Sequence, residues 1–276
     1  MTKTIPYLII MLSISIFLSC KDSDVAEVPP PISKQSSKDY LLAEKLFCEV
    51  GKIIEEGMYA NGEFWKGVTY YLKNSNPLNA DTLNIDFGSS TVLNGSIYKG
   101  EIEIIFTGKY TDSGTVIISS FPQNNPFHIN NHQVLGDRKV TNLGENSSGN
   151  IELLIEIING EIKAPIPGGS INWQTTRIRE WVSGSNTPNL TDDKYLISGN
   201  GSGVDMSNNI FNTTISQPIL LDLHCMSSES QCLTTSGQVN IIPEGLSTRV
   251  INYGDSICDC NFIVTIDENN YPIYLD

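Results

Sequence analysis

Basic side chains are scarce in this chain: 17 Lys and Arg stand against 31 Asp and Glu among 276 residues, a formal net charge of −14. So acidic a chain repels phosphate backbones, which argues against nucleic acid as a partner. Charged residues of both signs make up only 17% of the chain, and with 22 Gly and many Asn and Ser the composition favours turns over helices. No long apolar run follows residue 19, so nothing downstream reads as a membrane-spanning helix. Also missing are a Gly-x-Ser-x-Gly elbow, a His-Glu-x-x-His helix and a Walker-type phosphate loop. The run Gly199-Asn200-Gly201-Ser202-Gly203 lies among strand signals with no helix after it, so it reads as a turn or bulge. Carboxylates are too numerous for a glycosidase pair to stand out. No catalytic residue, metal ligand or cofactor is therefore assigned.

What is present begins at the N-terminus. Residues 1–19 carry one charge, Lys3, then a mostly apolar run from Ile5 to Leu18, too short to span a bilayer comfortably. A basic start, an apolar stretch and a small residue, Ser19, before Cys20 read as a secretory signal peptide over 1–19. The segment Phe17-Leu18-Ser19-Cys20 resembles the lipobox of bacterial lipoproteins, with Phe17 where Leu is usual. That resemblance implies acylation (palmitate among the chains) of the Cys20 thiol, which becomes the first residue of the mature chain. Residues 20–37 are polar or Pro-rich, and Pro29-Pro30-Pro31 favours extended polyproline geometry, so they form a tether. Lys21-Asp22-Ser23-Asp24 resembles the acidic export signal of Bacteroidetes surface lipoproteins. One acyl chain anchors only marginally, whereas the two or three that lipoproteins carry anchor stably. The expected partner is thus a membrane reached through the N-terminal lipid, and the expected location is the outer membrane, at the cell surface or on its periplasmic face.

Residues 38–60 read as an amphipathic helix. Leu42, Leu46, Val50, Ile53 and Ile54 fall near one face, Ser37 suits the N-cap, and Glu44, Lys45, Glu49, Lys52, Glu55 and Glu56 make the wet side. From residue 61 the hydrophobic period switches to two. Ile102, Ile104 and Phe106 alternate with Glu101 and Glu103, and Ile151, Leu153, Ile155 and Ile157 with Glu152 and Glu156. Turn signals recur at Asn130-Asn131, Ser147-Ser148-Gly149, Asn159-Gly160, Glu244-Gly245 and Asn269-Asn270; Asn-Gly is the strongest, since both central residues need positive φ. The expected fold is all-β: about a dozen antiparallel strands over 61–276, as a meander, sandwich-like or elongated sheet, behind one N-terminal helix.

Five cysteines follow Cys20, and in an oxidising envelope disulfides are the default. A hairpin centred on Gly245 pairs residues whose numbers sum to 490, placing Val239 opposite Ile251 and Cys232 opposite Cys258. Cross-strand cysteines are close enough to bridge. The register predicts Cys232–Cys258, with Cys225–Cys260 as a second pair and Cys48 as the free thiol.

Two clusters invite chemistry. On the odd face of Trp173–Trp181, Arg177 and Arg179 lie between Trp173 and Trp181. Such a face can stack on a sugar or grip a carboxylate; it serves equally as a structural cation–π ladder, with Asp192 and Asp193 as ion-pair partners. His128 and His132 have the spacing of a helical metal site, but Asn130-Asn131 reads as a hairpin turn and puts them on different strands as exposed loop histidines.

Asp86-Phe87-Gly88, Lys99-Gly100 through Phe106-Thr107-Gly108, Val140-Thr141-Asn142, Arg177-Ile178-Arg179-Glu180-Trp181, Asp192-Asp193-Lys194-Tyr195 and Tyr253-Gly254-Asp255 with Cys258-Asp259 together resemble a family of uncharacterised β-rich Bacteroidetes lipoproteins. The resemblance covers roughly 83–276 and implies a β-rich secreted domain without a transferable activity. Asp81-Thr82-Leu83 and Asp255-Ser256-Ile257 resemble the O-glycosylation signal of exported Bacteroidetes proteins, which marks Thr82 and Ser256. The expected function is a non-catalytic, lipid-anchored binding or scaffolding protein. The alternative is a cell-surface glycan- or peptide-binding module or hydrolase that meets an extracellular glycan or protein through Trp173–Trp181.

Overall fold

The computed structural model describes residues 32–59, 65–73, 81–93, 95–187, 189–227, 232–259 and 261–274. Cys20, the expected signal peptide, the expected tether up to residue 31, and Cys260 lie outside them. The helix α1 (Gln35–Tyr59) precedes sixteen described strands. These are β1 (Thr69–Lys73), β2 (Asp81–Asp86), β3 (Thr91–Leu93), β4 (Ser96–Lys99), β5 (Glu101–Phe106), β6 (Val116–Ser120), β7 (His128–Ile129), β8 (His132–Glu145), β9 (Ile151–Lys163), β10 (Ser170–Ser183), β11 (Lys194–Val204), β12 (Ile210–Asp222), β13 (Thr234–Pro243), β14 (Arg249–Asp255), β15 (Phe262–Ile266) and β16 (Asn269–Ile273). They form one open antiparallel sheet in the order β1-β2-β5-β6-β8 and then sequentially to β16, with β3, β4 and β7 paired beside β8. The expected antiparallel meander behind one helix is the observed architecture.

Side-chain alternation gives the sheet an inner and an outer face. A single cross-strand row of the inner face runs Leu83, Ile104, Ser119, Arg138, Ile157, Thr175, Gly201, Thr213, Ile241, Arg249 and Ile266, each opposite the next. Every member but Gly201 is buried. On the outer face, Lys139 pairs with Glu156 at 3.0 Å. Helix α1 lies across the inner face, touching Tyr253 of β14 through Tyr40 and Ile85 of β2 beside Gly57. Tyr40 and Gly57 are only about 26 Å apart along a helix axis, whereas nine strand spacings of a flat sheet cover about 43 Å. The sheet therefore curls around the helix. Among the described residues no helix is long and apolar enough to cross a membrane.

Bulges overturn two expectations. Asn159-Gly160 is not a hairpin: β9 runs through it, and Asn159 takes φ 50° where the register with β10 shifts. A bulge meets the demand for positive φ as well as a turn does. A Cβ on the facing Gly136 (φ 100°) would lie 2.6 Å from the Asn159 carbonyl oxygen, so only glycine fits there. The second concerns the cysteines. Val239 does face Ile251, but a shift beside Gly237 (φ 112°) puts Ser236 opposite Asp255, and both strands end before the cysteines. Cys258 instead bonds Cys225, which the short 3₁₀ turn Leu223–Ser227 presents. Neither predicted pair, Cys232–Cys258 or Cys225–Cys260, forms, and Cys232 is disulfide-bonded as well. Cys48 is free, as expected.

At its N-terminus α1 starts two residues before the expected cap. Ser37 is therefore a buried helical residue, and Ser36 donates to Asp205 at 2.6 Å while Asp39 accepts from the Met206 amide at 2.7 Å. These bonds tie the first turn of α1 to the β11–β12 loop. The 267–268 turn, with Asp267 and Glu268 at positive φ, closes the last hairpin in place of Asn269-Asn270.

Candidate functional site

The chain has four arginines, Arg138, Arg177, Arg179 and Arg249, and all four are buried, whereas no described lysine is. Three of them cluster on the inner face beneath α1. Alternation along β10 brings Trp173, Thr175, Arg177, Arg179 and Trp181 to one face as expected, but that face points inward. Trp173 and Trp181 are 0 and 2% exposed, and Arg177 and Arg179 are 7 and 4% exposed. A glycan reaches neither indole without displacing α1. The outer contact surface expected of this strand is therefore not a surface, because both faces of β10 carry polar side chains and only the packing of α1 decides between them.

The ion-pair partners also differ from Asp192 and Asp193. Arg177 Nη1 bonds Glu44 Oε2, and Arg179 Nη1 bonds Glu55 Oε1, with Arg179 Nη2 to Glu55 Oε2 at 3.3 Å. Arg138 Nη2 stands 3.9 Å from the same Glu55 carboxylate, which also accepts the Tyr110 hydroxyl at 2.8 Å. Glu55, assigned to the wet side of the helix by its charge, is 2% exposed. Burial opposes the charged form of Arg179, and the Glu55 carboxylate more than offsets it; Glu44 does the same for Arg177. Both guanidiniums stay ionised.

Aromatic rings complete the layer. Arg179 lies 3.5 Å above the Tyr195 ring and Arg177 5.7 Å from Trp173, so the cation–π ladder forms, though beneath the helix. Trp173 meets Tyr40 edge-on at 5.5 Å, and Gly201 leaves room for its indole: a Cβ there would sit 2.6 Å from Trp173 Cη2. The Tyr253 hydroxyl donates to that of Tyr40 at 3.3 Å. Trp181 Nε1 and the Tyr195 hydroxyl donate to Asp193 at 3.1 and 3.2 Å, while burial raises that carboxyl to about 6. Burial likewise raises the phenols of Tyr40, Tyr110, Tyr195 and Tyr253, which remain protonated donors.

Between α1 and the sheet a cavity of about 130 Å³ remains. Its lining combines aliphatic side chains with Glu44, Glu55, Arg138, Arg177 and Arg179, and with Cys48, whose thiol burial pushes up to about 11. A thiol so raised is a poor nucleophile at neutral pH. Arg138 went unnoticed in the sequence, and Glu44 and Glu55 were placed on the wet side of the helix; the available signal was the choice of Arg over Lys, since guanidinium tolerates burial better than ammonium.

The remaining predicted positions lie elsewhere. Asn130 and Asn131, both at positive φ, make the expected two-residue turn between β7 and β8, which puts His128 and His132 on separate strands. Both are half-buried rather than exposed, and His128 Nδ1 lies 2.8 Å from the Pro126 carbonyl oxygen. Among the described residues no cluster of three or more His, Cys, Asp or Glu side chains is placed to hold a metal ion. Thr82 is half-buried in β2, and Ser256 is exposed after β14. Comparison with known proteins finds no matching family model, no matching curated protein and no matching solved structure.

Proposed function

We propose that the protein is an exported lipoprotein, acylated at Cys20 and held at the outer membrane, whose β-domain binds or scaffolds without catalysing a reaction. The observation that carries this is the order of residues 3–20: one lysine, an apolar run of sub-membrane length, a small residue and a cysteine, followed by a Pro-rich tether. The fold is in keeping with it. The inner face is covered by α1, and Glu44 and Glu55 are each paired with a guanidinium.

Protease treatment of intact cells expressing the native chain, with a periplasmic protein as control, tests display at the surface. Cleavage with the control intact is expected, and protection would place the domain on the periplasmic side. Cys20→Ser is expected to release the protein from the membrane fraction, and retention there would contradict anchoring through that residue.

A further inference from the structure

We infer that the cavity beneath α1 is a binding site for a small amphiphilic carboxylate, whose head group is gripped by Arg177 with Arg138 and Arg179 while its apolar body fills the remaining space. The inference deepens the proposed binding role and rests on it.

The polar end is defined by donors without partners. Arg138, Arg177 and Arg179 are each more than nine-tenths buried and line the cavity. Glu44 and Glu55 occupy some of their N–H groups, yet Arg138 Nη1, Arg177 Nε and Nη2, and Arg179 Nε bond to nothing. The Tyr40 hydroxyl also interacts with the Arg177 guanidinium, too loosely to satisfy Nε and Nη2. Leaving a buried donor unsatisfied is costly, so four of them on three residues at one cavity are far from incidental. Nε and Nη2 form one edge of a planar guanidinium, the edge that a carboxylate meets with two parallel hydrogen bonds.

Charge points the same way. The lining holds five cationic side chains, Lys45, Lys52, Arg138, Arg177 and Arg179, against three carboxylates, Glu44, Glu49 and Glu55. In a chain of net charge −14, a local excess of positive charge selects an anion.

The other wall is apolar: Phe47, Ile155, Ile197, Ile219, Leu221 and Leu233. Water bridges buried donors well, but it needs 2–4 polar partners, and this wall offers none. An inorganic anion would leave the same wall bare. At about 130 Å³ the space is close to that of engineered apolar cavities of about 150 Å³, which take benzene. A ligand the size of hexanoate or benzoate fits; half-buried Glu44, Lys45, Cys48 and Lys52 on one side of α1 mark where solvent reaches the lining.

The test is calorimetric titration of the full chain with hexanoate, benzoate, hexan-1-ol and sulfate, with NMR confirming that the acids are recovered unaltered. Saturable binding of a carboxylate is expected, at least about tenfold tighter than hexan-1-ol or sulfate, as a hydrogen-bonded charge provides. Hexanoate or benzoate as the tighter ligand assigns an aliphatic or an aromatic acid. Arg177→Lys keeps a cation for Glu44 but removes the fork, and Ile197→Phe fills the space without touching an ion pair. Each is expected to lose about tenfold or more in affinity while its thermal melt shows a folded domain. Equal affinity for hexan-1-ol would overturn the carboxylate grip, and no carboxylate binding to the native chain, a cavity that holds water only, would overturn the site. Shaving of cells and the Cys20→Ser variant read anchoring alone, so either account can fail without the other.

Discussion

The inner face of one sheet has two different interiors. Under the middle of α1, strands β8 and β10 contribute Arg138, Arg177 and Arg179 between Trp173 and Trp181, all buried and tied to Glu44 and Glu55. A few strands away, β13, β14 and β15 contribute Val239, Ile241, Ile251, Val264 and Ile266, with none more than 1% exposed. The same pleat and the same row of facing residues join the two. The apolar end relies on exclusion of water, with Arg249 of the same row donating to the Ser33 carbonyl at 3.1 Å. The charged end needs each guanidinium matched by a carboxylate from a helix more than 80 residues away in sequence, and the match is incomplete at the cavity. An imperfectly satisfied polar layer costs stability that an apolar layer would not, which is why it reads as a place kept for binding.

The largest expected effect breaks the charged end. Glu55→Ala strips Arg179, Arg138 and Tyr110 of a shared buried acceptor and is expected to cost about 3–5 kcal/mol in urea unfolding. At the apolar end, Ile251→Ala is expected to cost about 2–5 kcal/mol through a cavity alone. The two ends are separated by compensation. Glu44→Leu combined with Arg177→Met is expected to recover most of the loss of Arg177→Met alone, since a buried ion pair replaced whole is nearly neutral. A double variant as unstable as the single one would mean that Glu44 is not the partner.

Smaller effects sharpen the picture. Gly51→Ala would stabilise an ordinary helix interior by about 0.5–1 kcal/mol. Here the new Cβ would sit 2.9 Å from Arg138 Nη2 and push it from Glu55, so the melting temperature is expected to fall rather than rise. The smallest effect concerns pH. Burial raises Asp193 from 3.8 to about 6, so between these values the folded state holds a proton that the unfolded state has released. Its contribution to stability is full below the lower value and is lost as pH rises through about 6. Asp193→Asn is expected to lessen the fall in stability between those pH values, as measured by urea midpoints; an unchanged profile would mean that Asp193 titrates normally.

Much of this organisation is legible in the sequence. The helix, the antiparallel meander, the Asn130-Asn131 turn and the facing of Val239 and Ile251 follow from hydrophobic period and turn chemistry. The apolar end announces itself as well, because Val239 and Ile241 alternate with Gln238 and Asn240. The charged end does not: on β10 polar residues occupy both faces, so alternation groups Arg177 with Arg179 without saying which way they point. Charge on α1 misled in the same way, since Glu55 looks like a solvated residue until its partner is in place. Register extrapolated through Gly237 failed because one bulge moves every later pairing by a residue, and the cysteine pairing went with it. The missed signal was compositional: in a chain so poor in basic residues, four arginines spaced along strands mark interior positions.

A double-mutant cycle on Glu55 and Arg179, with each single variant and the double measured by urea unfolding, tests the central claim most directly. A buried, hydrogen-bonded pair beneath α1 predicts a coupling energy of about 2 kcal/mol or more, with little change at high salt. A coupling below about 0.5 kcal/mol that salt abolishes is the signature of an exposed pair. That result would return the Trp173–Trp181 face to the surface and remove the cavity as a binding site.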